Sequence, residues 1–127
     1  MQKDLEQHSA SKEDYLEIIY EFSKDNKPFK SINIAKKLNI SRASVSEALK
    51  KLAEQGYITY EKYKPVALTD KGLKVAEKVF LKHCTLCTFF EKVLKLPQDD
   101  AEINACRIEH VITDSAFAKI KEVVDNL

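Results

Sequence analysis

Glycine, proline and cysteine are scarce in this sequence, and tryptophan is missing. Two glycines and three prolines in 127 residues, among many Lys, Glu, Leu and Ala, indicate a mostly helical protein. The three cysteines exclude a disulfide framework, because their number is odd and Cys84 and Cys87 are too close on a predicted helix for a routine bridge. No apolar N-terminal run resembles a signal peptide, so we expect a reducing, cytoplasmic location.

Long apolar runs are also absent. No stretch of about 18 apolar residues occurs, so we expect no membrane-spanning helix and no membrane partner. The hydrophobic content of 44% is enough for an ordinary globular core, in one domain or in two small domains that share a long helix.

Net charge is nearly absent, since 21 Lys and Arg are balanced by 20 Asp and Glu. The distribution along the chain is uneven. Residues 27–82 hold thirteen Lys and Arg against five Asp and Glu, a net charge of +8, and the rest of the chain carries −7. A basic middle between acidic ends suggests one segment that binds a polyanion and others that bind cations. Scattered, solvated lysines are the alternative explanation.

The basic middle has the pattern of a helix-turn-helix. We predict a first helix over 12–24, a short second helix over 31–38 and a tight turn at Asn39. A third helix is capped by Ser41 and ends at Gly56, because glycine suits a helix C-terminus. Two short helices across a tight turn form a helix-turn-helix.

A β-rich segment after the third helix predicts a wing. Residues 57–60 and 65–68 have strand-forming composition and flank the charged stretch 61–64, which is typical of a hairpin. The sequence therefore predicts a winged helix-turn-helix DNA-binding domain over residues 1–70.

The exposed face of the third helix carries side chains suited to DNA. Arg42, one of two arginines in the chain, could bind guanine through two hydrogen bonds or contact a phosphate. Glu47 could accept from cytosine, the serines suit phosphates, and lysines at the wing tip would add salt-dependent affinity. The sequence does not decide among these roles. The predicted DNA-binding residues are Ser41, Arg42, Ser44, Ser46, Glu47, Lys50, Lys62 and Lys64.

A helical dimerisation domain is predicted over residues 71–127. A long connecting helix covers about 70–95, and Asp99 or Asp100 and then Asp114 are expected to cap two further helices. The fold class is therefore mainly α with a small β wing. One stripe of the long helix is more apolar than a lone helix needs and suits a dimer interface. Its members are Val79, Leu86, Phe89 and Val93.

Three types of metal-ligating residue stand together near the C-terminus. Cys106, Glu109 and His110 occupy positions i, i+3 and i+4, which on a helix places all three donors on one face, as a transition-metal site requires. A buried cysteine beside a surface Glu-His pair is the alternative. His83 interrupts the apolar seam of the long helix, and the nearby cluster favours a ligand over a core histidine.

The thiols of the long helix are less informative. Cys84 and Cys87 form a Cys-x-x-Cys pair, which with His83 suggests a structural zinc site or a redox pair. There is no second pair of this kind, and thiols three residues apart in a helix are common by chance. We favour a small buried hydrophobe for Cys87.

Together these residues resemble the metal-dependent repressors of the diphtheria toxin repressor and manganese transport regulator family. The resemblance covers nearly the whole chain and rests on residues 13–20, the winged helix with its exit over 68–72, His83 and residues 105–111. It implies a DNA-binding domain joined to a helical dimerisation domain, with a divalent metal as corepressor. Because the sequence ends at Leu127, we expect the short, two-domain type without an SH3-like domain.

The resemblance also implies a hybrid metal site. Asp14 matches a ligand of the manganese branch where the iron branch has methionine, whereas Cys106 matches the iron branch where the manganese branch has a carboxylate. Cys87 and Glu102 stand where the ancillary site of the iron branch has glutamate and histidine. The implied metal ligands are Asp14, Glu17, His83, Cys106, Glu109 and His110.

The implied function is that of a transcriptional repressor controlling metal-ion homeostasis genes. Loaded with Fe(II) or Mn(II), it would bind double-stranded operator DNA as a homodimer, with the ion bridging the two domains and fixing the recognition helices. The soft sulfur of Cys106 favours Fe(II) over Mn(II), and other divalent metals are expected to bind in vitro. We expect no catalytic activity and no small-molecule substrate.

Two other functions remain as alternatives. In the first, a winged-helix regulator responds to a small molecule or to thiol oxidation, and Cys106, Glu109 and His110 form a structural zinc site. In the second, a metal-dependent hydrolase uses Glu109 as its base. The hydrolase is disfavoured because the chain has no glycine-rich loop, no obvious general base beyond the ligand set, and a DNA-binding half.

Overall fold

The computed structural model describes residues 11–26, 28–61 and 64–127. The chain forms two compact units, residues 1–76 and 77–127, called here the first unit and the second unit. The described residues are mainly helical, with a small two-stranded sheet, which confirms the predicted fold class. Every helix in this part of the chain is too short or too polar to cross a lipid bilayer.

Helix α1 (Lys12–Lys24) begins with the predicted cap. The Oγ of Ser11 accepts from the backbone N–H of Asp14 at 3.1 Å, and the carboxylate of Asp14 accepts from the backbone N–H of Ser11 at 2.8 Å. This capping box satisfies two N–H groups at the helix start. The apolar face of α1 is buried in the core of the first unit through Tyr15, Leu16, Ile18 and Ile19.

Helices α2 (Ser31–Leu38) and α3 (Arg42–Glu54) form the predicted helix-turn-helix. Asn39, between them, has a left-handed φ of 55°, which asparagine tolerates better than most residues. The Oγ of Ser41 accepts from the backbone N–H of Ser44 at 3.1 Å and so caps α3. The residues that join the two helices in the core are fully buried and include Ile34, Val45 and Leu49.

The wing is a short antiparallel pair. Strands β1 (Ile58–Thr59) and β2 (Ala67–Leu68) place Ile58 opposite Leu68. Both are shorter than the four-residue strands predicted from composition. Pro65 has no N–H to donate to a ladder, which limits pairing on its side of the hairpin.

Helix α4 (Asp70–Thr88) starts at a close junction inside the first unit. The Oγ1 of Thr69 donates to the backbone oxygen of Gly56 at 2.6 Å and accepts from the N–H of Gly72 at 3.2 Å. A Cβ at Gly72 would lie 1.9 Å from the backbone oxygen of Tyr57, so only glycine fits without a backbone shift. Gly56 has a positive φ of 84°, a conformation that suits glycine.

The long helix predicted over 70–95 is not α-helical to its end. Residues Phe89–Val93 form a π-helical turn, in which the N–H of Leu94 donates to the backbone oxygen of Phe89 at 3.2 Å, five residues back. Lys95 then has a φ of 62°, which ends the helix. The apolar periodicity runs through this segment without interruption and therefore gives no sign of the wider turn.

Helices α5 (Gln98–Ile108) and α6 (Asp114–Asp125) complete the second unit. Their caps differ from the prediction. Pro97 precedes α5 at the N-cap with a φ of −59°, and the Oγ1 of Thr113 caps α6 by accepting from a backbone N–H of its first turn at 3.2 Å. The aspartates predicted as caps lie inside the first turns, where negative charge still favours a helix N-terminus, at Asp99, Asp100 and Asp114.

The prediction that one apolar stripe of the long helix forms a dimer interface is contradicted for two of its four residues. Val79 and Leu86 are 4% and 0% exposed, and Phe89 and Val93 are half-buried. Helical periodicity identifies residues that share a face but not what covers that face. The large apolar side chains that are exposed in the second unit include Leu81, Leu94, Ile103, Val111 and Val123.

Candidate functional site

His83 on α4 lies between two carboxylates of the second unit. Its Nδ1 is 2.7 Å from an oxygen of Glu109, and its Nε2 is 2.8 Å from an oxygen of Glu102. The Sγ of Cys106 is 3.9 Å from the same Nδ1. Interaction with Cys106, and then the hydrogen bond with Glu109, raise the pKa of His83. The arrangement therefore suits the doubly protonated imidazolium, which can donate at both nitrogens.

Glu109 is the buried centre of this group. Its side chain is 1% exposed, and its two oxygens lie 2.7 Å from Nδ1 of His83 and 3.3 Å from Nε2 of His110. Burial alone would raise the pKa of Glu109, but the hydrogen bonds with His110 and His83 outweigh it, and the pKa is lowered. A carboxylate this deeply buried stays charged only because positive groups face it.

The end of α5 sets the positions of three predicted ligands. The helix ends at Ile108, so the prediction of one helix through all three donors is wrong at its last residues. Glu109 is the C-cap and keeps a helical φ of −59°, and its N–H donates to the backbone oxygen of Ala105 at 3.0 Å. His110 lies in the following turn, where the N–H of Val111 donates back to Ile108 at 3.0 Å. Cys106 and Glu109 still lie on one face, as predicted, because the backbone at the C-cap is helical.

The structure thus brings together four of the predicted metal ligands in the second unit. They comprise two imidazoles, a carboxylate and a thiol. The carboxylate is buried, both imidazoles are half-buried and the thiol is exposed. These donors are His83, Cys106, Glu109 and His110.

Two further side chains join the group on the other side of His83. The Sγ of Cys87 donates to an oxygen of Glu102 at 3.2 Å and lies 3.5 Å from Nε2 of His83. Burial, followed by the hydrogen bond with Glu102, raises the pKa of Cys87 to about 12, so this thiol is protonated at neutral pH. Cys87 is half-buried, as the predicted small hydrophobe would be, but it is also a hydrogen-bond donor.

Glu102 is absent from the ligand set predicted from sequence. One oxygen of Glu102, one nitrogen of His83 and the Sγ of Cys106 lie within 4.8 Å of one another. The spacing could have indicated it, because Glu102 precedes Cys106 by four residues and Glu109 by seven, which is one face of a helix.

The two remaining predicted ligands belong to the first unit. Asp14 and Glu17 lie one turn apart on α1. The carboxylate of Asp14 caps that helix, and Glu17 is half-buried.

Most of the predicted DNA-binding residues lie on exposed parts of α3 and the wing. The hydroxyl of Ser41 is used to cap α3. The Oγ of Ser41 accepts from the backbone N–H of Ser44 and donates to the Oγ of Ser44 at 2.9 Å. Lys64 is exposed and forms an ion pair with Glu61 at 2.8 Å. Lys62 lies outside the described residues. Arg42, Ser44, Glu47 and Lys50 are exposed, and Ser46 is half-buried.

Two family profiles match this chain. The family described as "Iron dependent repressor, N-terminal DNA binding domain" matches residues 7–66, and "Iron dependent repressor, metal binding and dimerisation domain" matches residues 69–127. The chain belongs to the iron-dependent repressor family. This confirms the family predicted from the sequence, that of metal-dependent transcriptional repressors with a winged-helix DNA-binding domain.

Individual relatives of this chain are described as transcriptional regulators. The chain is 41% identical over 114 residues to an uncharacterized HTH-type transcriptional regulator of Methanocaldococcus jannaschii, covering 89% of this chain and 91% of the relative. It is 30% identical over 117 residues to the HTH-type transcriptional regulator MntR of Oceanobacillus iheyensis, covering 92% and 79%. A solved manganese-dependent transcriptional repressor in complex with manganese is similar with a TM-score of 0.84 and 28% identity, over 91% of this chain and 53% of that one. The chain spans about half the length of that structure and of the manganese regulator SloR, another solved structure that it matches.

Proposed function

We propose that this repressor binds double-stranded operator DNA as a homodimer when a divalent metal, Fe(II) or Mn(II), occupies its ligands, and that it controls metal-ion homeostasis genes. The observation that carries the proposal is a cluster in which His83 and His110 both face the buried carboxylate of Glu109 and the Sγ of Cys106 lies 3.9 Å from Nδ1 of His83. From its DNA partner we infer a cytoplasmic location.

The residues present fit a divalent transition metal. Imidazole and carboxylate suit Fe(II) and Mn(II), and the thiol adds a soft donor. Glu109 is a buried carboxylate with two imidazoles at hydrogen-bond distance. A buried carboxylate needs a positive charge beside it, and a bound metal ion would supply one. We propose that the ligands in the second unit are His83, Cys106, Glu109 and His110.

We propose that Asp14 and Glu17 of the first unit complete the ligand set. The predicted domains over 1–70 and 71–127 would then share one centre. When bound, a divalent ion would supply a cross-link that favours one arrangement of the two domains, by shifting a population that already exists. The recognition helices α3 of a dimer would thereby be held at the spacing of successive major grooves.

We propose Fe(II) as the preferred metal. The support is Cys106, whose sulfur is the soft donor in an otherwise oxygen and nitrogen set. A Cys106→Glu variant should raise activation by Mn(II) relative to Fe(II), as measured by operator binding under anaerobic conditions. Unchanged relative activation by the two metals would contradict the role given to Cys106.

Operator binding across divalent metals tests the proposal as a whole. An operator is first selected from a random pool of DNA duplexes with the Mn(II)-loaded protein, and its affinity is then titrated anaerobically with Fe(II), Mn(II), Zn(II) or a chelator. We expect tight, sequence-dependent binding only with metal. Equal affinity with metal and with the chelator would refute metal dependence.

A further inference from the structure

His83 has a second carboxylate and a second thiol on the side that the proposed ligand set leaves aside. Nε2 faces Glu102 at 2.8 Å, and the other oxygen of Glu102 accepts from Cys87 at 3.2 Å. Nδ1 faces Glu109 at 2.7 Å and Cys106 at 3.9 Å. Each nitrogen of the imidazole thus faces one carboxylate and one thiol.

We propose that Glu102 is a positioning residue that holds the Nε2–H of His83, so that the imidazole offers Nδ1 to the metal. This inference rests on the proposed function, in which His83 is a ligand. A neutral imidazole has one N–H and one lone pair, and the hydrogen bond at one nitrogen decides which nitrogen binds the metal. Ligating histidines commonly donate their other N–H to a carboxylate, which fixes the ring and raises its basicity.

The surroundings of the two ring nitrogens of His83 indicate which nitrogen would bind the metal. On the Nδ1 side lie a fully buried carboxylate, a second imidazole and a thiol, from Glu109, His110 and Cys106. On the Nε2 side, the side chain of Glu102 is 58% exposed. Nδ1 therefore faces more donors in a drier setting, where a metal–ligand bond is less exposed to competing water.

Cys87 extends the chain of hydrogen bonds by one step. Its S–H donates to Oε2 of Glu102, which leaves Oε1 directed at Nε2 of His83. The Sγ of Cys87 also lies 3.5 Å from Nε2 of His83, so the thiol, the carboxylate and the imidazole each contact the other two. Cys87 orients Glu102, and Glu102 orients His83.

Cadmium binding observed by NMR tests this assignment. The full chain with ¹⁵N-labelled histidine is loaded with ¹¹³Cd(II), and coupling from cadmium to the ring protons of His83 is recorded. Coordination through Nδ1 couples cadmium to Hε1 alone, whereas coordination through Nε2 couples it to both Hε1 and Hδ2. We expect the first pattern.

Variants of Glu102 measure the size of the effect. Glu102→Ala should weaken Cd(II) and Co(II) binding about 10–100-fold, as loss of an outer-shell partner typically does. Glu102→Gln keeps an acceptor oxygen and should recover most of the affinity and the Nδ1 pattern. Asp100→Ala, which removes the same charge from the same helix two residues earlier, should bind like the wild type.

The outcomes separate this inference from the proposed function. Coupling through Nε2, or a second cadmium resonance that disappears in Cys87→Ser, would overturn it, because Cys87 and Glu102 would then be ligands themselves. Wild-type affinity in Glu102→Ala would also overturn it while leaving the proposed function intact. A wild-type chain that takes up neither Cd(II) nor Co(II) would refute the proposed function and this inference together.

Discussion

The two units of this repressor present their candidate functional residues in opposite ways. In the first unit the residues predicted to meet DNA are mostly exposed and close in sequence, on one short helix and the wing. In the second unit the donors come from α4, from the end of α5 and from the turn that follows it, and the central carboxylate of Glu109 is 1% exposed. A change on the exposed face should alter one contact. A change at the buried carboxylate should alter every group that faces it.

Loss of the buried carboxylate should have the largest effect. Glu109→Gln removes the negative charge that two imidazoles face, so divalent metal affinity should fall more than 100-fold, beyond the usual cost of losing an outer-shell residue. Calorimetric titration with Co(II) measures it. Glu122→Gln on α6, an exposed carboxylate of the same unit, is the control, and similar affinities in the two variants would show that burial does not set the effect.

A change at the start of α4 should have the next largest effect. It tests whether the first unit tolerates substitution at every position. Gly72→Ala places a Cβ against the backbone oxygen of Tyr57, which cannot rotate away, so the free energy of unfolding should fall by about 3 kcal/mol. Gly56→Ala meets no atom within 4 Å and has only the positive φ to disfavour it, at about 1 kcal/mol. Urea denaturation compares the two. An equal loss would mean that the close approach to Tyr57 relaxes.

The pH dependence of metal binding should be smaller but easily measured. Because the pKa of His83 is raised, its proton is held at neutral pH and must leave before Nδ1 can bind a metal. Affinity should therefore rise with pH, by about tenfold per unit for each proton released. Co(II) titrations at pH 6, 7 and 8 measure the slope, and a flat profile would contradict the ligand role of His83.

The most local effect, limited to one contact with DNA, is expected on the exposed face of α3. Arg42→Ala should weaken binding to the selected operator by about 1–3 kcal/mol if Arg42 reads a base, with sequence discrimination lost at one position. Lys50→Ala should instead weaken all duplexes alike and reduce the salt dependence of binding. Competition binding with single-base operator variants separates them. Identical specificity profiles for both variants would assign Arg42 to a phosphate.

The first unit could be predicted closely from its sequence because its signals are local. The cap at Ser11, the turn at Asn39 and the cap at Ser41 are each determined within a few residues, and the helix bounds follow from them. Family membership and fold class were also within reach of the sequence.

The second unit could be predicted less closely, because its arrangement depends on contacts between residues that are distant in the sequence. Periodicity grouped Val79 with Leu86 but did not show that both are buried, and the π-helical turn has no signature in the apolar pattern. The contact between His83 and Glu102 joins residues 19 apart, so nothing in local sequence requires it. Helical spacing suggested part of the donor set, while tertiary packing showed the rest.

The imidazolium of His83 has a consequence for the charge balance of the proposed metal site. Its positive charge lies between Glu102 and Glu109, two acidic side chains that would otherwise repel one another. At the proposed site, metal uptake would then be a cation exchange, in which a proton leaves His83 as a divalent ion arrives. The proton on His83 would therefore compete with a metal ion for Nδ1.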